Sequence, residues 1–510
     1  MDRRSFLKSL GWGAAALATP GALALEPRRR PRNILFILAD DLGWGDVSCY
    51  GATPGLTPFL DGYVRQGVKF TDAHSPASTC TPTRYAIFTG QYAWRKPGTA
   101  IAPGDAALLI DPASVTLPKL MRQSGMVTGA VGKWHLGMGP GPGKTDWNKP
   151  ISPCGNDIGF DYTFLMAATA DRTPCVYVEN GLVVGLDPED PIEVNYERNY
   201  PGEPDGVRDR ASLKMDWDHG HNQAVVNGIG RIGYMKGGQK ARWVDEEMAD
   251  VFVEKANAFI ERHKDEPFFL YFGTNDIHVP RVPNPRYAGK TPFGPRGDVT
   301  VQFDDSVRRV IEKLRALGLE EETLVVVTSD NGPMVNDGYK DQAPERLGDH
   351  KPSGDWRGHK YTPYEGGHRL PFIVVWPGVV PAGETNGALL SLVDLGATFA
   401  ALRGVPLPSG ALPDSFDQSA TLLDPSRPSA RTDLICQDYQ LNIREGDWKY
   451  IVPKPAGNRP TERNNPLNGQ LYNLRDDPAE TVNRVREEPE RAQALYAKLL
   501  RAVQSGRTRP

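Results

Sequence analysis

Two pairs of short polar residues stand directly after apolar runs: Asp40-Asp41 follows residues 34–39, and Asp330-Asn331 follows residues 324–329. Three carboxylates and one amide make a hard, all-oxygen donor set that suits Ca2+ or Mg2+ and poorly matches Zn2+, which prefers nitrogen and sulfur. Without a cation, carboxylates packed so closely would repel one another and rise in pKa. An isolated Asp pair is usually a turn or a helix cap. Two such pairs closing two strands point to a site. Two further apolar runs, 126–131 and 268–273, stop close to Lys133 and His135 and to Asn275 and His278. Open parallel sheets gather their ligand sites at the carboxyl ends of strands, so the four endings are expected to converge on one cleft. Ahead of a helical segment stands Ser78-Thr79-Cys80-Thr81-Pro82-Thr83-Arg84. By residue type alone Cys80 is either a thiol activated at a helix start or a buried structural one, and both stay open.

These residues need a frame to bring them together. From residue 33 onward short apolar runs alternate with helix-period segments, the pattern of an α/β fold with a largely parallel sheet. The pattern predicts strands over 33–39, 68–73, 126–131, 268–273, 323–329 and 372–376. Helices are expected over 57–66, 116–124, 244–263 and 297–317, with Thr116 as a cap and Gly125 as a stop. Residues 137–242 read as a long irregular stretch rich in Gly, Pro, Asn and Asp, of a length that is usually functional in a compact enzyme. Beyond residue 404 the pattern changes to short strands near 434–437, 448–452 and 470–474 and a closing helix over 488–504. The expected organisation is an export signal (1–25), a large α/β domain (26–404) and a small C-terminal α+β subdomain (405–510).

Composition narrows the function classes. The chain has 510 residues, 39% of them hydrophobic, which excludes a disordered or fibrous protein. Its 53 glycines and 45 prolines exceed the usual share and imply long, shaped loops. A net charge of −4 offers no general basic surface, so nucleic acid is not an expected partner. The apolar stretch 10–25 is broken by Gly11, Gly13, Pro20 and Gly21 and is too short to span a bilayer, so no stable membrane insertion is expected. Its charged start, Arg3-Arg4-Ser5-Phe6-Leu7-Lys8, resembles a twin-arginine leader, with Asp2 where Ser or Thr is more usual, and implies export to a bacterial periplasm or the medium. Export permits disulfides. Five cysteines leave at least one unpaired, and Cys154 and Cys175, which flank the apolar segment 160–170, are the expected pair.

The segment around Cys80 resembles the sulfatase signature C-x-P-x-R, and the resemblance runs through nearly the whole mature chain. It includes Asp40-Asp41, Gly132-Lys133-Trp134-His135-Leu136-Gly137, His278-Val279-Pro280, Ser329-Asp330-Asn331-Gly332, Arg357-Gly358-His359-Lys360, Glu365-Gly366-Gly367, and Leu471-Tyr472-Asn473-Leu474 with Asp477-Pro478. Several ordered motifs are far more specific than one. The resemblance implies an alkaline-phosphatase-like large domain whose Cys80 is converted to Cα-formylglycine by a formylglycine-generating enzyme. The hydrated aldehyde would attack sulfur, the alcohol or phenol would leave, and the second hydroxyl would then lose its proton to expel sulfate. The resemblance assigns the metal, Ca2+ ahead of Mg2+, to Asp40, Asp41, Asp330 and Asn331. It assigns Arg84 and Lys133 to the nucleophile's charge, His135 to the base of the elimination, and His278 with Lys360 to sulfate and the leaving group. A cation and lysines aimed at oxygens that gain charge in the transition state stabilise it differentially.

Departures from the family pattern are confined to the irregular stretch. There Ala170-Asp171-Arg172 and Asp218-His219-Gly220-His221 could reach sugar hydroxyls or sulfate oxygens, which makes Asp171, Arg172 and His221 candidate substrate contacts. A surface ion pair is an equally good account of the Asp/Arg pair. This stretch, with residues 227–234, looks more like the N-acetylgalactosamine-6-sulfatase and arylsulfatase A branch than like choline or alkyl sulfatases. The expected substrate is a sulfated glycan, such as 6-O-sulfated galactose or N-acetylgalactosamine, or an aryl sulfate. The rivals are a phosphonate monoester or phosphodiester hydrolase of the same superfamily and an exported carbohydrate-binding homologue without catalysis. The sequence sets no oligomeric state.

Overall fold

Residues 33–39, Asn-Ile-Leu-Phe-Ile-Leu-Ala, show no polar alternation, and they form a strand buried along its whole length, β1 (Asn33–Ala39). The computed structural model describes residues 30–51, 53–453 and 460–509, so the predicted leader, residues 1–25, lies outside the described residues. After β1 come α1 (Pro58–Tyr63), β2 (Val68–His74), α2 (Cys80–Thr89), α3 (Leu117–Gln123) and β3 (Val127–Lys133). The stretch expected to be irregular carries β4 (Tyr162–Met166), the hairpin β5 (Tyr177–Glu179) and β6 (Leu182–Val183), then β7 (Glu193–Asn195), β8 (Val225–Val226), β9 (Ile229–Gly230) and β10 (Tyr234–Lys236). Next follow α4 (Met248–Arg262), β11 (Phe268–Gly273), α5 (Gly294–Ala316), β12 (Thr323–Ser329), α6 (Ala343–Arg346), α7 (Glu365–His368) and β13 (Arg369–Val375). The chain closes with β14 (Glu384–Asn386), β15 (Leu390–Ser391), α8 (Leu395–Arg403), α9 (Ser419–Leu423), β16 (Asp433–Gln437), β17 (Leu441–Glu445), β18 (Trp448–Ile451), β19 (Gln470–Asn473) and α10 (Pro489–Gln504).

The large sheet runs β14-β2-β13-β12-β1-β11-β3-β4-β5-β6, with β15 also on β2. Its centre, β12-β1-β11-β3-β4, is parallel, while β13 is antiparallel to both neighbours. The sheet is therefore mixed around the expected parallel core. In the parallel core Ala39 sits opposite Ser329, Leu38 opposite Gly273, and Gly273 opposite Gly132. That register alone delivers Asp40, Asp330, Lys133 and the 274–278 loop to one edge. The predicted cap is present: the Thr116 hydroxyl accepts from the Lys119 amide at the start of α3.

Some features differ from expectation. The Gly- and Pro-rich composition of 137–242 hid β4, which pairs with β3 and extends the sheet beyond the predicted strands. The expected Cys154–Cys175 bridge is also absent: all five cysteines are free. Each thiol faces its own local oxygen, Cys154 Sγ the Asn156 side chain at 3.4 Å and Cys175 Sγ the Arg172 carbonyl at 3.7 Å. The C-terminal strands make a separate antiparallel sheet, β16-β17-β18-β19. Its Ile435, Leu441 and Tyr450 share an apolar cluster with Leu499 of α10 and with Ala86 of α2, so it packs beneath the helix that starts at Cys80.

Candidate active site

Asp40 and Asp41 follow β1, Asp330 and Asn331 follow β12, and all four are buried. One carboxylate oxygen from each of Asp40, Asp41 and Asp330 lies within 4.8 Å of the others. Asn331 Nδ2 donates to Asp41 Oδ1 at 2.7 Å, which leaves Asn331 Oδ1 buried without a partner, and Asp40 Oδ1 is buried without one as well. Burial, with Asp330 and Asp41 alongside, pushes the Asp40 carboxyl well above the usual range despite the opposing Lys133 ammonium. Buried oxygens left unpaired and carboxylates forced together are what a hard cation relieves, so this donor set fits Ca2+ or Mg2+. Asp41 holds φ 61°, a left-handed conformation that is uncommon outside glycine.

Cys80 is the first residue of α2 and is 1% exposed. Burial raises its thiol, with Lys133 and Lys360 pulling the other way, so a thiol activated as such is not supported. One turn on, Arg84 faces the same side. Its Nε donates to Asp330 Oδ2 at 2.9 Å, and its Nη1 donates to the Lys133 carbonyl at 3.0 Å and to the Tyr271 hydroxyl at 2.5 Å. Lys133 ends β3 and its Nζ donates to Asp40 Oδ2. The preceding Gly132 has φ 106°, and a Cβ there would meet the Gly273 carbonyl oxygen at 1.8 Å, so only glycine lets β3 lie against β11 at this point. Lys360 comes from the loop before α7, and its Nζ donates to Asp41 Oδ2 at 2.9 Å and to Asp337 Oδ2 at 3.1 Å.

The two histidines carry defined tautomers. His135 Nε2 donates to the Ala102 carbonyl at 2.9 Å, which leaves Nδ1 as a buried lone pair without a partner. Burial, then Lys133 and Arg172, hold its pKa well below the ordinary histidine value. His278 Nδ1 donates to the Val279 carbonyl at 2.7 Å, so Nε2 carries the lone pair and lies 4.0 Å from both Asp41 and Asp337. Burial, Lys360 and Lys133 depress His278 as well. Both rings are neutral, and the proton-bearing group of the His278–Lys360 pair is the lysine. Asp171 accepts from Arg172 Nη1 at 2.9 Å and from His221 Nε2 at 2.8 Å. Burial would raise Asp171, yet Arg172 and His221 hold it well below the usual carboxylate range. The His221 ring lies tilted against Tyr339, with 4.5 Å between ring centroids.

The family model described as Sulfatase matches residues 32–405 of this chain. The chain belongs to the sulfatase family. This sulfatase is 48% identical over 479 residues to an N-acetylgalactosamine-6-O-sulfatase of Bacteroides thetaiotaomicron, a match that spans 93% of each chain. It is 32% identical over 431 residues to human arylsulfatase A, covering 84% of this chain and 74% of that one. A Bacteroides thetaiotaomicron structure solved in work on the metabolism of multiple glycosaminoglycans superimposes with a TM-score of 0.88 at 47% identity, covering 94% of this chain and all of the other. A Pseudoalteromonas sulfatase superimposes with a TM-score of 0.67 at 26% identity, covering 94% of this chain and 90% of its own. The sulfatase is thus a sulfuric ester hydrolase, of a family that acts on sulfated glycans and aryl sulfates.

The structure of the sulfatase brings Cys80, Arg84, Lys133, His278, Lys360 and the four oxygen donors into one buried cluster. Sequence reasoning missed three members. Tyr271 lies inside an apolar strand with nothing to mark its hydroxyl. Asp337 sits in a Gly- and Pro-rich loop, and Tyr361 follows Lys360 with φ 71°, a strained backbone for a bulky residue. No helix among the described residues is long and apolar enough to cross a membrane.

Proposed function

We propose that this sulfatase removes a 6-O-sulfate from N-acetylgalactosamine or galactose residues of glycans, with residue 80 in the formylglycine form and Ca2+ held by Asp40, Asp41, Asp330 and Asn331. The observation that carries the chemistry is the meeting of Cys80, Asp40 and His278, whose ligand atoms lie within 4.8 Å of one another, beside two buried donor oxygens that lack partners. The substrate class is supported by the 48% identical relative, whose name is N-acetylgalactosamine-6-O-sulfatase.

Hydrated formylglycine supplies two geminal hydroxyls, and the divalent ion supplies positive charge at the sulfate oxygens. The chain's own residues do the rest. Lys133 and Lys360, each already paired with a carboxylate, present ammonium groups to the oxygens where charge develops, and in a water-poor cleft such fixed groups are worth far more than in solvent. Arg84 holds Asp330 and, through the Lys133 carbonyl, the end of β3. His135 takes a proton at Nδ1, because its Nε2 is committed to Ala102. Lys360 delivers a proton to the departing alcohol oxygen, and His278 takes up at Nε2 the proton that the attacking hydroxyl of residue 80 gives up. Asp171, Arg172 and His221 meet the sugar hydroxyls and exclude water from one side.

Export through the paired arginines Arg3-Arg4 belongs to the same reading, as does maturation by a formylglycine-generating enzyme. Replacement of both arginines by lysine is expected to keep the precursor inside the cell. The function is tested by kcat/KM for 6-sulfated N-acetylgalactosamine against the 4-sulfated isomer, nitrophenyl sulfate and the matching phosphate diester. Preference for the 4-sulfated isomer or the diester would overturn the proposal. So would a wholly unmodified thiol in the tryptic peptide 70–84 of active protein.

A further inference from the structure

We propose that Asp337 is a specificity-determining residue, which makes the sulfatase accept a sugar with one sulfate in the cleft and reject the same sugar sulfated again at the neighbouring position. The inference rests on the substrate proposed above. Asp337 Oδ2 accepts from Lys360 Nζ at 3.1 Å and lies 4.0 Å from His278 Nε2. A ring nitrogen of His278 is in turn within 4.8 Å of Cys80 Sγ, so Asp337 stands one side chain away from the nucleophile. Its side chain is 13% exposed, against 1% for Lys360 and 4% for His278. Its Oδ1 has no hydrogen-bond partner among the described residues. Of these three side chains, Asp337 is the one most open to solvent.

The charges of the site point the same way. Four cations, Lys133, Arg84, Arg172 and Lys360, are paired with five carboxylates, Asp40, Asp41, Asp330, Asp171 and Asp337. A bound divalent ion turns that deficit of one into a surplus of one, which a single sulfate monoester neutralises. A second sulfate in the same cleft would be uncompensated, and on the Lys360 side it would face another anion, Asp337. A hydroxyl at that position, by contrast, has a proton to donate to Asp337 Oδ1. Discrimination then comes from a repulsive element as well as an attractive one.

The test compares kcat/KM for 6-sulfated and 4,6-disulfated N-acetylgalactosamine in the wild type and in Asp337→Asn, with Asp337→Ser as a second variant. Binding of both sugars to a Cys80→Ala background, with and without Asp337→Asn, is measured by calorimetry. The monosulfated sugar is expected to be favoured at least tenfold by the wild type, and Asp337→Asn to narrow that ratio at least fivefold in turnover and in binding. A common loss on both sugars reflects the hold on Lys360 and leaves the ratio to decide. An unchanged ratio in both variants, or a wild type that takes both sugars equally, overturns the inference while the substrate proposal stands. Sulfate release from neither sugar overturns both.

Discussion

Replacing Arg84 by Met should destabilise the protein strongly, and replacing Asp330 by Asn as well should cost less than the two single effects added together. Arg84 is fully buried and sets Nε and Nη2 at 2.9 and 2.8 Å from Asp330 Oδ2, which is also fully buried. Loss of the guanidinium leaves a buried carboxylate with only Lys133, at 4.0 Å, as a nearby cation, at a cost of up to about 3–5 kcal/mol. It also removes the donor to the Tyr271 hydroxyl and to the Lys133 carbonyl. Asp330→Asn removes the orphaned charge, so the double variant Arg84→Met/Asp330→Asn should recover about 2–3 kcal/mol relative to additivity. The assay is thermal unfolding of all four proteins in excess chelator, in which each kcal/mol moves Tm by about 2–4 °C or less in a chain this long. Repeating the Arg84→Met comparison in Ca2+ supplies a second arm, because an ion on Asp330 compensates the charge that Arg84 no longer covers and the loss should shrink. Additivity within about 0.5 kcal/mol, or an equal Arg84→Met loss with and without Ca2+, would refute the reasoning.

Other outcomes follow from the same contacts. Cys80→Ala should lower turnover by at least about a thousandfold while Tm stays near that of the wild type, since the buried group is replaced by a small apolar one; retention of a tenth of the activity refutes the nucleophile assignment. His135→Ala should lower kcat by about 10²–10⁴, and because burial keeps His135 neutral, the acid limb of the wild-type profile should lie below about pH 6.5. Beneath the sheet edge, Lys449 Nζ donates to His368 Nε2, His368 Nδ1 to His74 Nδ1 at 3.0 Å, and His74 Nε2 to Asp72 at 2.8 Å. Burial lowers both pKa values, so the native state binds fewer protons than the unfolded one. Stability is complete above about pH 6.5 and falls on acidification by up to ~1.4 kcal/mol per pH unit per histidine, seen as a Tm slope that His74→Asn/His368→Asn should flatten. Alkylation of the unreduced, denatured protein should label both Cys154 and Cys175.

The parallel core of the sheet was legible because its strands are continuous apolar runs bounded by polar residues, and the oxygen donors Asp40, Asp41, Asp330 and Asn331 because they occupy the first positions after those runs. β4 was not legible, since five residues of apolar chain carry little signal among glycines and prolines. β17 was missed because Leu441–Glu445, although its sequence alternates, is only five residues long. The family motifs located Cys80, Lys133, His278 and Lys360, but the expected disulfide rested on nearness in sequence, which says nothing about where two thiols point.

By itself the sequence determined the fold class, the edge of the sheet where chemistry sits, and the residue types available there. Local pattern suffices for these, because strand period and the polar residue after a strand are properties of a few neighbours. Only the tertiary structure decided that Arg84 serves Asp330, 246 positions away, that His135 keeps Nδ1 open, and that Asp337 shares Lys360 with Asp41. Those are contacts between residues far apart along the chain, and their geometry is set by how the strands and loops pack rather than by any neighbour in sequence.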